Sequence, residues 1–147
     1  MSAANRGKWA ESEFRKQLKA LNAARANFAF HRHPDPHAGS LQTSPADFEA
    51  MSAGQHYLLE VKEVKVVAKN GSRLLPSANF AVDKVARMHK WQLAGSKCWV
   101  IVCHRPMDEW RLVPLSVFLD RRPSWQLKDY PAMTLVQVMK EIFGSKT

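Results

Sequence analysis

Two cysteines, no C-x-x-C pair and no long apolar run narrow this sequence before any motif is considered. Cys98 and Cys103 stand at odd spacing in one apolar run, so on a strand they face opposite sides and do not bridge each other. Without a C-x-x-C pair there is no thiolate zinc site. Two buried thiols fit a reducing compartment. No apolar stretch reaches the length of about 18 residues that a membrane-spanning helix needs, and no leader precedes the first polar helix, so the expected location is cytoplasmic. Internal repeats and low-complexity tracts are absent. Acidic residues are also scarce: 13 Asp and Glu stand against 22 Lys and Arg, for a formal net charge of +9.

What is present is an ordinary globular balance. The 147 residues are 46% hydrophobic and 24% charged, enough for one domain, 1–147, with a real core. The positive charge is spread along the chain and not gathered in a tail. That fits a folded domain with a positive surface facing a polyanion, or a merely basic soluble protein.

A first helix is predicted over 7–22. At 100° per residue, Ala10, Phe14, Leu18 and Leu21 share a stripe, with Glu11 at its edge and Glu13 turned towards solvent. Glu11 either leans over a sheet or pairs with Arg15. A strand over 27–31 leads into a loop with Pro34, Pro36 and Pro45. There His31, His33 and His37 read as solvated side chains or as transition-metal ligands joined only by Asp35. A hairpin follows: a strand over 47–51, a turn over 52–55 and a strand over 56–67. A basic loop over 65–73 carries an Asn-Gly turn. Leu74-Leu75-Pro76 then leads to Ser77 or Asn79 as the cap of a second helix ending near Gly95. In that helix Val82, Val85, His89 and Leu93 share one face and Val85, Met88 and Gln92 another, with Lys84, Arg87 and Lys90 elsewhere. The run 98–103 reads as a strand buried on both faces. A strand over 110–113 and a helical turn over 115–119 come next. In the loop over 120–131, Trp125 is a packing residue or a base-stacking platform. The last helix starts at Thr134. The order predicts a mixed five-stranded sheet flanked by helices.

The stretch 44–64 is the centre of this plan. Glu60 and Lys62 sit one pleat apart on a strand and project from the same face. A carboxylate and an ammonium in so apolar a run are costly to bury unless paired or bound to a metal. Carboxylate oxygens are what magnesium takes. The residues therefore read as a magnesium-dependent phosphodiesterase site, or as a strand ion pair beside a turn Asp47.

Asp47 followed by Glu60-Val61-Lys62 resembles the signature of the PD-(D/E)xK nuclease superfamily, with Pro45 set one residue back by Ala46. More of the chain is similar to the RecU-type Holliday-junction resolvases of that superfamily. Asn5-Arg6-Gly7-Lys8 followed by Glu11 resembles their opening motif and helix acid. His31-Arg32-His33-Pro34-Asp35-Pro36 resembles their basic P-x-P segment. Leu75-Pro76, Val85 to Met88, Cys98-Trp99-Val100-Ile101-Val102 and Leu112-Val113-Pro114-Leu115 follow their later order. Two departures stand out. Only residues 37–46 separate the P-x-P segment from Asp47, where those resolvases carry a long projecting insertion, and Lys84 stands in place of a helix Gln. A compact, archaeal-type resolvase is compatible with both.

The resemblance implies an α/β, restriction-endonuclease-like core and a bacterial or phage-encoded endonuclease that resolves four-way DNA junctions as a homodimer. It implies Mg²⁺, with Mn²⁺ able to substitute. The ion would be held by Asp47, Glu60 and the Val61 carbonyl, with Glu11 acting through water or at a second metal position. Lys62 would orient the attacking water. Arg6, Lys8, Arg32, Lys69, Arg73, Lys84 and Arg87 are the candidates for guiding the DNA backbone.

Overall fold

A computed structural model of the chain describes residues 8–33, 45–65 and 69–144. Arg6, the prolines at 34 and 36, and His37 lie outside the described residues, and of Lys8 only the backbone is described. The elements in order are α1 (Lys8–Ala24), β1 (Phe28–Arg32), β2 (Phe48–Ser52), β3 (Gln55–Val64), β4 (Leu74–Pro76), α2 (Val82–Leu93), β5 (Lys97–His104), β6 (Glu109–Pro114), β7 (Ser124–Gln126) and α3 (Leu135–Phe143). One sheet has the order β1-β2-β3-β5-β6; β4 and β7 pair separately. Within the large sheet only β3 and β5 run parallel, joined through β4 and α2, and the remaining pairs are antiparallel.

Both faces of this sheet are covered, which is why β3 and β5 read as nearly continuous apolar runs. On one face, Ala10, Phe14 and Leu18 of α1 and Val138, Met139 and Ile142 of α3 pack on Phe48, Leu59, Val61 and Ile101. On the other, Val85 and Met88 of α2 pack with Leu58, Val100, Val102, Leu75, Phe80 and Phe118. Cys98 and Cys103 are buried in opposite layers, as their odd spacing requires. The hairpin β2–β3 turns on two residues, Ala53 and Gly54, with φ of 49° and 84°. Two positive φ values in a two-residue connection give the backbone twist that suits paired strands.

Three predicted boundaries move. The second helix starts at Val82 behind Ala81, not at Ser77 or Asn79, because 74–76 is drawn into pairing with β7 and Ser77–Asn79 forms a short 3-10 turn. Its buried side is Val85 and Met88, while Val82 and Leu93 are 60% and 77% exposed, so the broader predicted stripe is not the core face. The loop predicted over 120–131 contains β7, whose Trp125 is buried edge-on against Phe118 at 4.9 Å and donates its indole N–H to the Asp120 carbonyl. Trp125 is thus a packing residue. α3 starts as predicted, with Thr134 and Gln137 forming a reciprocal capping box. No helix among the described residues is long and apolar enough to cross a membrane.

Candidate active site

The ladder that pairs Phe48 with Leu59 carries Asp47 to a place opposite Glu60, one step beyond the last strand pair. His33 donates its backbone N–H to the Asp47 carbonyl at 2.8 Å, so Asp47 is held from both sides of β2. The two acids then clasp each other through main chain. The Asp47 N–H donates to Glu60 Oε1 at 3.0 Å, and the Val61 N–H donates to Asp47 Oδ2 at 2.9 Å. Each carboxylate is anchored by one oxygen and presents the other.

Those two remaining oxygens, Asp47 Oδ1 and Glu60 Oε2, meet at one place, where the Lys84 ammonium lies 3.6 Å and 2.9 Å from them. Lys62 stands beside it, its Nζ 3.0 Å from Glu60 Oε2 and 4.8 Å from the centre of the Phe80 ring. Glu60 is only 1% exposed, Asp47 13%, Lys62 16% and Lys84 22%, so the cluster is largely withdrawn from solvent. Burial pushes the Asp47 carboxyl well above its usual range; the charge of Glu60 adds to this, Lys84 opposes it, and Glu11 adds a little more. Burial pushes Glu60 up as well, but Lys62 and Lys84 together outweigh it, and Glu60 is held below the ordinary carboxylate value. Burial works against the charge on Lys84, yet Glu60 and Asp47 more than offset it and hold its pKa up.

Two carboxylate oxygens aimed at one cation are the arrangement that a hard divalent ion requires, and the ammonium marks the point where such an ion would sit. Among the described residues no group of three or more His, Cys, Asp or Glu side chains gathers around a point, so other coordination positions would fall to water, substrate or a main-chain carbonyl. This matches magnesium, which keeps several waters. What Val61 gives Asp47 here is its N–H.

The predicted residues divide as follows. Asp47, Glu60 and Lys62 converge. Lys84, predicted only as a guide for DNA backbone, belongs to the same cluster. Glu11 does not join the acids as a third member of a tight cluster: its Oε2 lies 3.4 Å from Arg32 Nη2 on the α1 side of the sheet, and its influence on Asp47 is through charge. That contact also places Arg32 on Glu11. Arg73 pairs with Glu109 through Nε at 2.8 Å and Nη2 at 3.3 Å. Arg87 pairs with Asp83 along one helix turn, and Lys69 is exposed in the turn after the undescribed 66–68.

Two features escaped the sequence. Glu63 faces the layer opposite Glu60 and accepts the Ala10 N–H at 2.9 Å, so it caps the start of α1 from a distant strand. Its place in the same apolar run as Glu60, at odd spacing from it, was the available signal. His33 is also no solvated loop residue: with His56 it flanks Glu49, at 3.3 Å and 2.8 Å, and the hydrogen bond from His56 holds the Glu49 carboxyl below its usual range. His56 in turn meets Ser96 Oγ at 2.8 Å and stacks on Trp91.

A five-stranded mixed sheet between helices thus holds Asp47 just before β2 and Glu60 and Lys62 within β3, in an α/β fold shared with solved structures. Two solved structures similar to it are nucleases. One is Hjc, a Holliday junction resolvase from the archaeal hyperthermophile Archaeoglobus fulgidus, with a TM-score of 0.56, 22% identity, and coverage of 86% of this chain and 98% of that one. Another is a bacterial homing endonuclease, with a TM-score of 0.50, 11% identity, and coverage of 92% of this chain and 85% of that one. At these identities the likeness is one of fold. No protein-family model and no curated protein matches the sequence.

Proposed function

We propose that this protein is a magnesium-dependent DNA endonuclease that nicks four-way junctions symmetrically as a homodimer. The observation that carries the proposal is the clasp itself: each of two buried carboxylates is tied down by one oxygen and offers the other to a shared cation position, with Lys62 alongside. A phosphodiester resists attack because it is negatively charged, and a site that hydrolyses it must supply positive charge and an oriented water. When bound, a magnesium ion supplies Lewis acidity towards water and a phosphate oxygen. Asp47 Oδ1 and Glu60 Oε2 would hold it, the Val61 carbonyl is the candidate for a further contact, and Glu11 would act through water. Lys62, steadied between Glu60 and Phe80, orients the water and meets the charge that grows on phosphorus. Mn²⁺ would substitute for Mg²⁺.

The choice of branched DNA rests on the order of RecU-like motifs along the chain and on the fold shared with an archaeal junction resolvase. With only residues 37–46 between the P-x-P segment and Asp47, the chain fits the compact kind of resolvase. A two-fold dimer would present two such sites to the two strands to be nicked. Arg6, Lys8, Arg32, Lys69, Arg73, Lys84 and Arg87 are the candidates for guiding backbone.

The test is cleavage of end-labelled four-way junction, flap and linear duplex, with and without Mg²⁺. Paired symmetric nicks in the junction are expected, reduced more than about 100-fold in Asp47→Asn and Glu60→Gln. Equal cutting of linear duplex would make it a duplex nuclease of the same fold. Binding with no cleavage in any divalent metal would leave a DNA-binding module and sink the nuclease reading.

A further inference from the structure

The reaction just proposed gives Lys84 no step, yet among the described residues it alone bridges Asp47 and Glu60. Lys62 also touches Glu60 Oε2, but its ammonium lies to one side, against Phe80. The oxygens that Lys84 contacts are the two that no main-chain N–H restrains. They are therefore the two that a divalent ion would take, at about 2.0–2.1 Å for magnesium. An ammonium 2.9 Å from Glu60 Oε2 and 3.6 Å from Asp47 Oδ1 and a dication bonded to both oxygens cannot share that space. Their charges repel at short range inside a poorly screened pocket.

We propose that Lys84 is the resident counter-ion of this site, competing with the divalent cation for Asp47 Oδ1 and Glu60 Oε2, so that cation binding displaces its ammonium towards solvent and DNA. The inference rests on the nuclease reading above and concerns how its metal is admitted. The charge count explains why such a device is useful. With both acids ionised, Asp47, Glu60, Lys62 and Lys84 sum to zero, so the two acids do not repel each other unrelieved. With Lys84 exchanged for a dication, Asp47, Glu60, Lys62 and the ion carry a net positive charge, and a DNA phosphate then becomes their natural counter-charge. The displaced ammonium, on a flexible stem that is partly exposed, can meet that same phosphate. By linkage, DNA would strengthen cation binding as much as the cation strengthens DNA binding.

The experiment is calorimetric titration of the DNA-free protein with Mn²⁺. Lys84→Gln, which removes the charge and keeps a polar amide, is expected to bind Mn²⁺ at least about tenfold more tightly than wild type. Lys84→Arg is expected to bind like wild type. Equal or weaker binding by Lys84→Gln overturns the competition and leaves the nuclease reading standing. Failure of both wild type and Lys84→Gln to take up Mn²⁺ removes the metal site, and with it both readings. A second measurement needs no variant. Amine labelling followed by mass spectrometry should show Lys84 of the wild-type protein several-fold more reactive with saturating Mn²⁺ than without, relative to Lys140 on distant α3. Unchanged labelling of Lys84 would refute displacement.

Discussion

Asp47 shows what a carboxyl beside a second acid costs the fold that holds it. Its carboxyl is buried beside the charge of Glu60, and both effects disfavour its ionised form. Asparagine has nearly the same shape and keeps an oxygen for the Val61 N–H. Asp47→Asn is therefore expected to raise the melting temperature by a few degrees, read by scanning calorimetry, while it abolishes cleavage. A lower melting temperature would mean that the Lys84 contact outweighs the burial of two like charges. At this scale the sequence was informative where alternation alone decides. Glu60 and Lys62 differ by two positions on a strand and so share a face, whatever the rest of the chain does. The contact of Lys84 with both acids was not legible, because it depends on which side of α2 is buried and the sequence offered two faces, one of them with the exposed Val82 and Leu93.

At the scale of elements, α1 is secured by groups remote from it in the chain. Glu63 of β3 accepts the Ala10 N–H, and Arg105 lies 3.5 Å from the second Glu63 oxygen with its guanidinium 4.8 Å over the Trp9 ring. Trp9 in turn contacts Trp110 of β6. A carboxylate at a helix N-terminus gains from the exposed N–H groups and from the helix dipole. Glu63→Gln should cost about 1 kcal/mol in urea-induced unfolding. It should also speed amide exchange in the first turn of α1, which carries Glu11. No local pattern announces a cap supplied from 53 residues away. The β4–β7 pair escaped for the same reason. Its strands are three residues each, too short for alternation to register, and they are 48 or more positions apart in every pairing. The core strands and all three helices were legible because their apolar spacing repeats over several turns or pleats.

At the scale of the whole molecule, stability should fall in mild acid through one buried side chain. His104 is fully buried, and burial, then the charges of Arg111 and Arg73, push its pKa down to about 4, with Glu109 opposing. The unfolded chain binds a proton at His104 near pH 6.5 and the folded one near 4, so the stabilisation is complete above 6.5 and is lost as pH falls through that window. By pH 4 the loss is about 3 kcal/mol. Urea titrations of wild type and His104→Gln should diverge between pH 7 and 4, the variant being the flatter. Glu109, held at about 2 chiefly by its hydrogen bond from Arg73, yields its own contribution only in more acid solution, below 4.5. The two-residue connection Ala53-Gly54 bears on the whole design in another way. It sets the phase between β2 and β3, and a strand shifted by a single residue presents its side chains to the opposite layer. One codon gained or lost in that hairpin would leave a sheet able to form, yet turn Asp47 away from Glu60. The count of residues from 47 to 60 is therefore a fixed dimension of the site, as rigid a requirement as the identities of the acids themselves.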